Sequence, residues 1–329
     1  MTIAVRKNNH IDICLNENVR SGISNGFEKF RLIHNALPEA DFEKFSTETE
    51  FLGNKISAPF LISSMTGGTD SGERINRNLL EAAAGLNIAF AIGSQRIYLS
   101  ASGSKLIPVR KIAGNIPILA NIGAVQLNYG FGRDHCLHAV EMIEADALIL
   151  HINPLQELIQ RDGNTNFSGL LKKIETLCRD FPVPVIAKEV GWGICPELAG
   201  KLTDAGISMI DAAGAGGTSW SQVESFINDD AFTRKTAEAF SDWGIPTAEC
   251  IEKIHSKYPQ IRLIASGGIS NGVEAAKAIL LGAEICGMAA RLLPAAAEDS
   301  AESVSLELKC LIEQYKIARF LSAGIEKNI

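Results

Sequence analysis

The chain has 329 residues, of which 46% are hydrophobic and 21% are charged. This composition is typical of a globular protein and excludes a disordered or low-complexity chain. With 31 basic and 38 acidic residues the net charge is −7, which argues against a surface that binds nucleic acid. The length predicts one large domain or two ordinary ones.

The N-terminal residues contain no apolar segment of the kind found in a secretory signal. The longest apolar stretch, residues 275–297, is interrupted by Lys277, Glu284 and Arg291, so it does not resemble a membrane span. The seven cysteines form no Cys-x-x-Cys pair, which is typical of reduced thiols. We therefore expect a cytoplasmic protein without a membrane or nucleic-acid partner.

From residue 59 onward, short β-branched runs alternate with amphipathic segments. The runs are apolar on both faces, as expected for parallel strands that are covered by helices. They span residues 59–64, 88–92, 116–121, 147–152, 183–189, 208–213, 262–266 and 284–288. Several of the intervening helical patterns end in glycine, the usual residue after a helix C-terminus.

Eight such strand–helix units predict an α/β protein with a closed (β/α)8 barrel, the TIM-type fold. We predict a single domain over residues 1–329, with an N-terminal extension over 1–58. The alternative is an open doubly wound sheet, but no Gly-x-Gly-x-x-Gly follows the first strand. Residues 214–246 form an unusually long connection after the sixth strand, which we interpret as an active-site loop.

Polar and glycine-rich segments follow the predicted strands, where barrels of this type carry their active sites. These segments span residues 63–68, 93–96, 151–157, 188–189, 214–220, 266–269 and 287–290, with Asn121 after the third strand. A lysine within an apolar strand, as at Lys188, requires a counter-charge or an electron-rich ligand. Glycines such as Gly67 and Gly68 allow the backbone to approach a planar ring closely.

The last strand ends favour a phosphate site. Ser266-Gly267-Gly268 precedes a helix, and backbone N–H groups with a helix N-terminus are a common phosphate site after the last barrel strands. Basic residues also occur in the N-terminal arm and at the strand ends, namely Arg6, Lys7, His10, Arg96, His151 and Lys188. In an acidic protein this local concentration indicates a multiply charged anion, such as a diphosphate.

Seven motifs, in order from residue 6 to residue 269, closely resemble those of the type 2, FMN-dependent isopentenyl-diphosphate delta-isomerases. They are Arg6-Lys7-x-x-His10-Ile11, Met65-Thr66-Gly67-Gly68, Gly93-Ser94-Gln95-Arg96, His151-x-Asn153-x-x-Gln156-Glu157, Lys188-Glu189-Val190-Gly191, Gly214-x-Gly216-Gly217-Thr218-Ser219-Trp220 and Ser266-Gly267-Gly268-Ile269. The resemblance covers most of the chain.

The resemblance implies interconversion of isopentenyl and dimethylallyl diphosphate in isoprenoid biosynthesis, with FMN, Mg²⁺ and NADPH as the flavin reductant. The implied flavin contacts are Ser64, Met65, Thr66, Gly67, Ser94, Asn121, Lys188, Thr218, Gly267, Gly268, Ala289 and Ala290. The implied substrate contacts are Arg6, Lys7, Ser94, Gln95, Arg96, His151 and Gln156. Gln156 would also be catalytic, and Glu157 would hold Mg²⁺. A homo-oligomer, either a tetramer or an octamer, is implied as well.

The chemistry of this reaction agrees with a flavin cofactor. Moving a double bond requires a proton on an unactivated alkene carbon, and ordinary carboxylic acids or imidazolium are poor acids for that step. Reduced flavin can donate and accept a proton at its ring nitrogens, so the cofactor carries the difficult step. One carboxylate with substrate phosphates and waters suits Mg²⁺.

Other functions on the same barrel remain as alternatives. An FMN-dependent 2-hydroxy-acid oxidase or dehydrogenase needs a histidine base near the seventh strand, and the nearest histidine, His255, lies in a predicted helix. A nucleotide dehydrogenase needs a nucleophilic cysteine after the sixth strand, and residues 213–220 contain none. A flavin-binding regulator has no need of Gln156 and Glu157 beside a diphosphate site.

Overall fold

The structure, a computed structural model, describes residues 3–100, 106–228, 230–298 and 300–323. Its strands are β1 (Thr49–Phe51), β2 (Asn54–Ile56), β3 (Phe60–Ile62), β4 (Ala89–Ala91), β5 (Ile118–Gly123), β6 (Ala147–Ile152), β7 (Val185–Glu189), β8 (Met209–Asp211), β9 (Leu263–Ser266) and β10 (Ile285–Met288). Short 3₁₀ helices lie at Phe27–Lys29, Phe42–Lys44 and Ala124–Asn128.

The α-helices of the described ranges are α1 (Ile3–Asn16), α2 (Asp70–Leu86), α3 (Arg96–Ser100), α4 (Val109–Ala113), α5 (Arg133–Glu141), α6 (Pro154–Ile159), α7 (Leu170–Cys178), α8 (Pro196–Asp204), α9 (Trp220–Ile227), α10 (Ala231–Glu238), α11 (Thr247–Lys257), α12 (Gly272–Leu280), α13 (Leu293–Ala297) and α14 (Ala301–Ser322). Within these ranges, no helix combines the length and the apolar composition needed to cross a membrane.

Strands β3 to β10 pair in chain order and in parallel, and β10 closes the barrel against β3. At least one helix follows each of these strands. The predicted TIM-type barrel is therefore confirmed. Seven of the observed strands lie within the predicted runs, and β5 extends two residues further, to Gly123.

An apolar cluster fills the barrel interior up to about the middle of the strands. Its members on the barrel strands are Leu61, Ala89, Ala91, Leu119, Ala147, Ile149, Ile186, Met209, Ile264 and Ile285. Because side chains alternate between the two faces of a strand, residues two positions further along also point into the barrel. Those residues are Ser63, Asn121, His151, Lys188, Asp211, Ser266 and Gly287. The interior thus changes from apolar to polar toward the carboxyl ends of the strands.

The N-terminal end of the barrel is closed by the antiparallel hairpin β1–β2, which we call the floor. Its Phe51 and Ile56 are fully buried and belong to the interior apolar cluster. The floor is fastened to the barrel by two hydrogen bonds: Ser57 N–H to the Asn87 carbonyl, and the Asn87 amide to the Lys55 carbonyl.

The opposite end, formed by the carboxyl ends of β3–β10 and their loops, is called the mouth. Helix α1 lies over it, because Lys7 bonds to the loops after β3 and β4 and His10 bonds to α9. Ile11 is buried against the core. The N-terminal extension therefore folds back over the rim, as its basic residues require if they are to reach the strand ends.

Residues 214–246, expected as a loop, contain the two helices α9 and α10. Asp230 begins α10 by accepting hydrogen bonds from the N–H groups of Phe232 and Thr233, a common N-cap arrangement. The segment is joined to the N-terminal extension through Ser219 N–H to the Val19 carbonyl and Ser21 N–H to the Gly217 carbonyl. The insertion and α1 thus border the mouth together.

Candidate active site

A buried ion pair lies at the centre of the mouth. The Lys188 ammonium donates to Asp211 Oδ2 at 2.8 Å and to Ser266 Oγ at 2.9 Å. Ser266 in turn donates to Asp211 Oδ1 at 2.5 Å. Asp211 is the counter-charge that the sequence required for a lysine within an apolar strand. An ammonium group has three donors, so these contacts leave one for a ligand.

A chain of polar side chains crosses three neighbouring strand ends. Asn121 Nδ2 donates to Ser64 Oγ at 2.8 Å, and His151 Nδ1 lies 2.7 Å from Asn121 Oδ1. Burial lowers the pKa of His151 to about 4, assisted by the positive charges of Lys188, Lys7 and Arg96. His151 is therefore neutral at pH 7 and donates from Nδ1 to Asn121.

Helix α6 brings Gln156 and Glu157 together with Asn153, which directly precedes it. The Asn153 amide nitrogen donates to Gln156 Oε1 at 3.0 Å and to Glu157 Oε1 at 3.2 Å. Glu157 Oε2 accepts the backbone N–H of Asn164. Asn153 Oδ1 is buried and has no hydrogen-bond partner. Two carboxamides and one carboxylate thus share one edge of the mouth.

Glu224 of α9 is a site residue that the sequence analysis missed. It is fully buried, and its Oε1 accepts from Gln156 Nε2 at 3.0 Å and lies 3.0 Å from His10 Nε2. Its Oε2 is buried without a partner. His10 also packs edge-on against the Trp220 ring. Glu224 lies outside every recognised motif, in a segment that was expected to be a loop. Nothing in the sequence therefore indicated that it is buried against α1.

The glycine-rich loops after β8 and β9 lie directly against each other. Gly267 and Gly268 have φ of +106° and +74°, backbone conformations that favour glycine. A Cβ atom at Gly217 would lie 2.6 Å from the Gly268 nitrogen, so larger side chains are excluded there. Of the predicted phosphate contacts after β10, Ala289 is half-buried and Ala290 is exposed. Their backbone N–H groups border the same end of the barrel.

The loops after β3 and β4 are also in contact. A Cβ atom at Gly93 would overlap the Thr66 backbone. Lys7 donates to the Gly67 carbonyl at 2.6 Å and to the Ser94 carbonyl at 3.1 Å. The predicted flavin residues Ser64 to Gly67 and Ser94 are therefore assembled at one side of the mouth, and Met65 is half-buried among them.

The remaining predicted residues differ in their placement. Arg96 is half-buried at the start of α3, where burial lowers its pKa and Glu157 acts in the opposite direction. Arg6 is half-buried on α1, and Thr218 is half-buried in the loop after β8. Gln95 is fully buried in the barrel wall, where its side chain bonds to Asn121 N–H and the Ala139 carbonyl. The structure does not bring the Gln95 side chain to the mouth.

The residues that the oxidase and dehydrogenase alternatives need are not at the mouth. His255 lies in α11 with its ring against Gly282. The segment after β9, residues 267–271, contains no histidine, and residues 213–220 contain no cysteine. In the part of the chain that the structure describes, no group of three or more His, Cys, Asp or Glu residues could hold a metal.

Comparisons with known proteins identify the fold and the family. A family model described as FMN-dependent dehydrogenase matches residues 150–324. A mandelate oxidase mutant with an FMN adduct superposes with a TM-score of 0.67 at 17% identity, covering 94% of this chain and 90% of that chain. At such low identity the likeness shows the fold alone.

The curated relatives are much closer in sequence. An isopentenyl-diphosphate delta-isomerase from Nostoc sp. is 50% identical over 298 residues, which is 90% of this chain and 85% of the relative. One from Pseudescherichia vulneris is 49% identical over 322 residues, which is 97% of this chain and 92% of the relative. The resemblance read from seven motifs is confirmed, and this chain belongs to the type 2, FMN-dependent isopentenyl-diphosphate delta-isomerase family.

Proposed function

We propose that this protein interconverts isopentenyl diphosphate and dimethylallyl diphosphate, with FMN and Mg²⁺ bound at the mouth. The observation that carries the proposal is the arrangement of Gln156, Glu157 and Glu224. These three groups lie at the edge of a mouth that also contains Lys188 and several other cations. Isomerases that are about half identical in sequence support the same reaction.

The mouth fits FMN in two respects. In the paired glycine loops of Gly217 and Gly267–Gly268 no side chain separates the two backbones, and backbone N–H groups of such turns can bind a flavin phosphate. Lys188, fixed by Asp211, supplies a cation for the ring. When bound, reduced FMN would supply the proton donor and acceptor that an unactivated alkene requires.

The mouth also fits Mg²⁺. Mg²⁺ is usually held by one or two carboxylates, substrate phosphates and waters, and Glu157 supplies one buried carboxylate. The neighbouring Asn153 Oδ1 is a buried oxygen without a partner. A dedicated cluster of three ligands is therefore unnecessary, which agrees with its absence from the described residues.

Residues of the chain itself would bind the substrate, orient Gln156 and assist proton transfer. Arg6, Lys7, Ser94 and Arg96 bind the diphosphate, which supplies many acceptor oxygens. His151, neutral in the free site, would donate to it from Nε2 once the negative charge of the diphosphate favours its protonation. Asn153 and Glu224 fix the Gln156 carboxamide from opposite ends, so that it is oriented beside the alkene. Glu224 Oε1 accepts from Gln156 Nε2, so the carboxylate could take the proton of that N–H bond while Gln156 Oε1 gains one. Gln95 would act only by shaping the loop that carries Ser94 and Arg96.

We further propose the flavin reductant and the oligomeric state from the family resemblance, and the location and domain organisation from the sequence. NADPH would reduce the flavin, because isomerisation itself consumes no electrons. The protein would act in the cytoplasm as a single-domain chain with residues 214–246 beside the active site. It would assemble as a tetramer or octamer.

The proposal is tested by purifying the protein and recording its visible spectrum with and without added FMN. Isopentenyl diphosphate is then incubated with the protein, Mg²⁺ and dithionite-reduced FMN, and dimethylallyl diphosphate is quantified. We expect bound flavin and isomerisation that requires Mg²⁺. A protein that ignores FMN, or that oxidises 2-hydroxy acids and leaves the diphosphate unchanged, would contradict the proposal.

A further inference from the structure

Glu73, in the first turn of α2, is not part of any motif, yet it connects several segments of the mouth. Its Oε1 accepts the Gly68 backbone N–H at 2.8 Å and the Tyr98 hydroxyl. Its Oε2 accepts the Ile107 backbone N–H at 3.1 Å. One carboxylate thus joins the loop after β3 to two points in the connection after β4.

Lys7 of α1 binds the same two segments from the other side. Its ammonium donates to the Gly67 carbonyl at 2.6 Å and to the Ser94 carbonyl at 3.1 Å. The Gly67–Gly68 turn, with φ of +151° and +81°, lies between this ammonium and the Glu73 carboxylate. A Cβ atom at Gly67 would lie 3.4 Å from Glu73 Oε1. The two charges therefore flank one glycine turn.

We propose that Glu73 is a positioning residue that orders the loops after β3 and β4 and keeps Lys7 charged for the diphosphate. This inference rests on the proposed function, in which Lys7 binds that group. Glu73 itself contacts neither substrate nor flavin in this assignment. It acts through the glycine turn and through its charge.

The charged and titratable groups around Lys7 come from several elements. Glu73 of α2 favours its charged form, whereas Arg6 on α1 disfavours it. His151 of β6 is close enough for Lys7 and Arg96 to lower its pKa. Tyr98 of α3 bonds to Glu73, and burial raises the pKa of its phenol, so the phenol remains neutral.

Burial lowers the pKa of Lys7 to about 8, against the raising effect of Glu73. Lys7 is therefore charged below pH 8 and loses its proton above it. If the ammonium binds the diphosphate, kcat/KM falls as pH rises through this value, since kcat/KM reports groups of the free enzyme. Removal of the Glu73 charge moves that fall to lower pH.

The test measures kcat/KM for isopentenyl diphosphate from pH 6 to 9.5, using holoenzyme with reduced FMN and Mg²⁺. For Glu73→Gln we expect the falling limb to shift by roughly one pH unit to lower pH, the size of a nearby charge interaction. Tyr98→Phe removes one hydrogen bond and keeps the carboxylate, so its limb should stay at the wild-type position. Lys7→Arg keeps a positive charge at all these pH values, so it should lack the limb, with or without Glu73→Gln.

A purely structural role would lower kcat/KM for Glu73→Gln equally at every pH without moving the limb, and this result would overturn the proposal. Persistence of the limb in Lys7→Arg would also overturn it, even if Glu73→Gln does not fold. If wild type does not isomerise the substrate, the proposed function fails separately. In that case titration calorimetry with inorganic pyrophosphate measures the same pH dependence, with the same expected order of variants.

Discussion

The two ends of the barrel are covered by two parts of the same N-terminal extension, and they are covered in opposite ways. The floor buries Phe51 and Ile56 in an entirely apolar cluster. At the mouth, α1 is held by polar contacts, chiefly those of Lys7 and His10, with Ile11 as its buried apolar anchor. Apolar burial stabilises the fold whether or not a ligand is present. By contrast, the carbonyl oxygens that accept from the Lys7 ammonium can be replaced by the oxygens of a diphosphate.

This difference indicates that the floor contributes mainly to stability and the mouth mainly to function. The interior side chains follow the same division. Leu119 lies in the apolar cluster, and Asn121, two residues later on the same strand, belongs to the polar chain of the mouth. One strand therefore supplies both regions, and substitutions at its two ends should have different consequences.

The largest effect is expected at the floor. Phe51→Ala removes a fully buried ring and should lower the free energy of unfolding by about 3–5 kcal/mol, the usual cost of such a cavity. Chemical denaturation measures the change. KM for isopentenyl diphosphate should stay at the wild-type value under conditions where the variant is folded.

The matched control is Phe232→Ala in α10, where the ring is 79% exposed. It should change the unfolding free energy by less than about 0.5 kcal/mol, as surface substitutions usually do. If Phe51→Ala raised KM strongly while the protein remained folded, the division between floor and mouth would be wrong.

At the mouth, Glu157→Gln should have the converse effect. It keeps the size of the side chain and removes the charge that a hard divalent cation requires. We expect kcat/KM to fall by roughly a hundredfold or more, equivalent to about 2.7 kcal/mol, with little change in FMN affinity. A Mg²⁺ titration of activity and an FMN titration measure the two effects.

The same substitution at the other end, Glu50→Gln at an exposed position of β1, is its control and should leave the Mg²⁺ dependence unchanged. Full activity of Glu157→Gln at limiting Mg²⁺ would indicate that the metal is held elsewhere.

The predictable part of this structure is the barrel and its strand ends. Periodicity located all eight strands, because strands covered on both faces read as continuous apolar runs. The polar residues that end them meet at one edge in any parallel barrel, so the contact between Lys188 and Ser266 follows from topology. Asp211 lies on β8, the strand between these two residues, in register with Lys188.

Contacts between distant segments were not predictable in the same way. Glu224 meets His10 across 214 residues of sequence, and Glu73 meets Lys7 through a turn that neither residue belongs to. Both glutamates lie on helices whose sequences resemble ordinary amphipathic surfaces, so nothing local marks them as buried. Gln95 shows the reverse case, since it lies within a motif and its side chain turns into the wall.

Glu224→Gln tests one of these contacts and should have a smaller effect than Glu157→Gln. The amide oxygen still accepts a hydrogen bond from Gln156, but the amide cannot take up a proton as the carboxylate can. We expect kcat to fall by about tenfold, less than the hundredfold or more of a general acid–base group that touches the substrate, because Glu224 acts only through Gln156, with KM nearly unchanged. Steady-state kinetics measure the two constants, and Glu238→Gln at the C-terminus of α10 serves as the control. Unchanged kcat would exclude Glu224 from the proton path.

The smallest effect on stability at neutral pH is expected for His151→Asn, which keeps a donor toward Asn121. Burial lowers the pKa of His151 to about 4, whereas an unfolded chain has a histidine pKa of about 6.5. Between these values the unfolded state binds one proton more than the folded state, so stability is lost as pH falls from about 6.5 toward 4. Wild type and variant should therefore match in pH dependence above pH 7, and the variant should lose less stability in acid.

Denaturation at pH 5 and pH 8 measures the difference, and the exposed His138→Asn variant should follow wild type. The floor cluster is entirely apolar and contains no titratable side chain, so we assign this acid sensitivity to the mouth. If His151→Asn lost as much stability in acid as wild type, His151 would not be its cause.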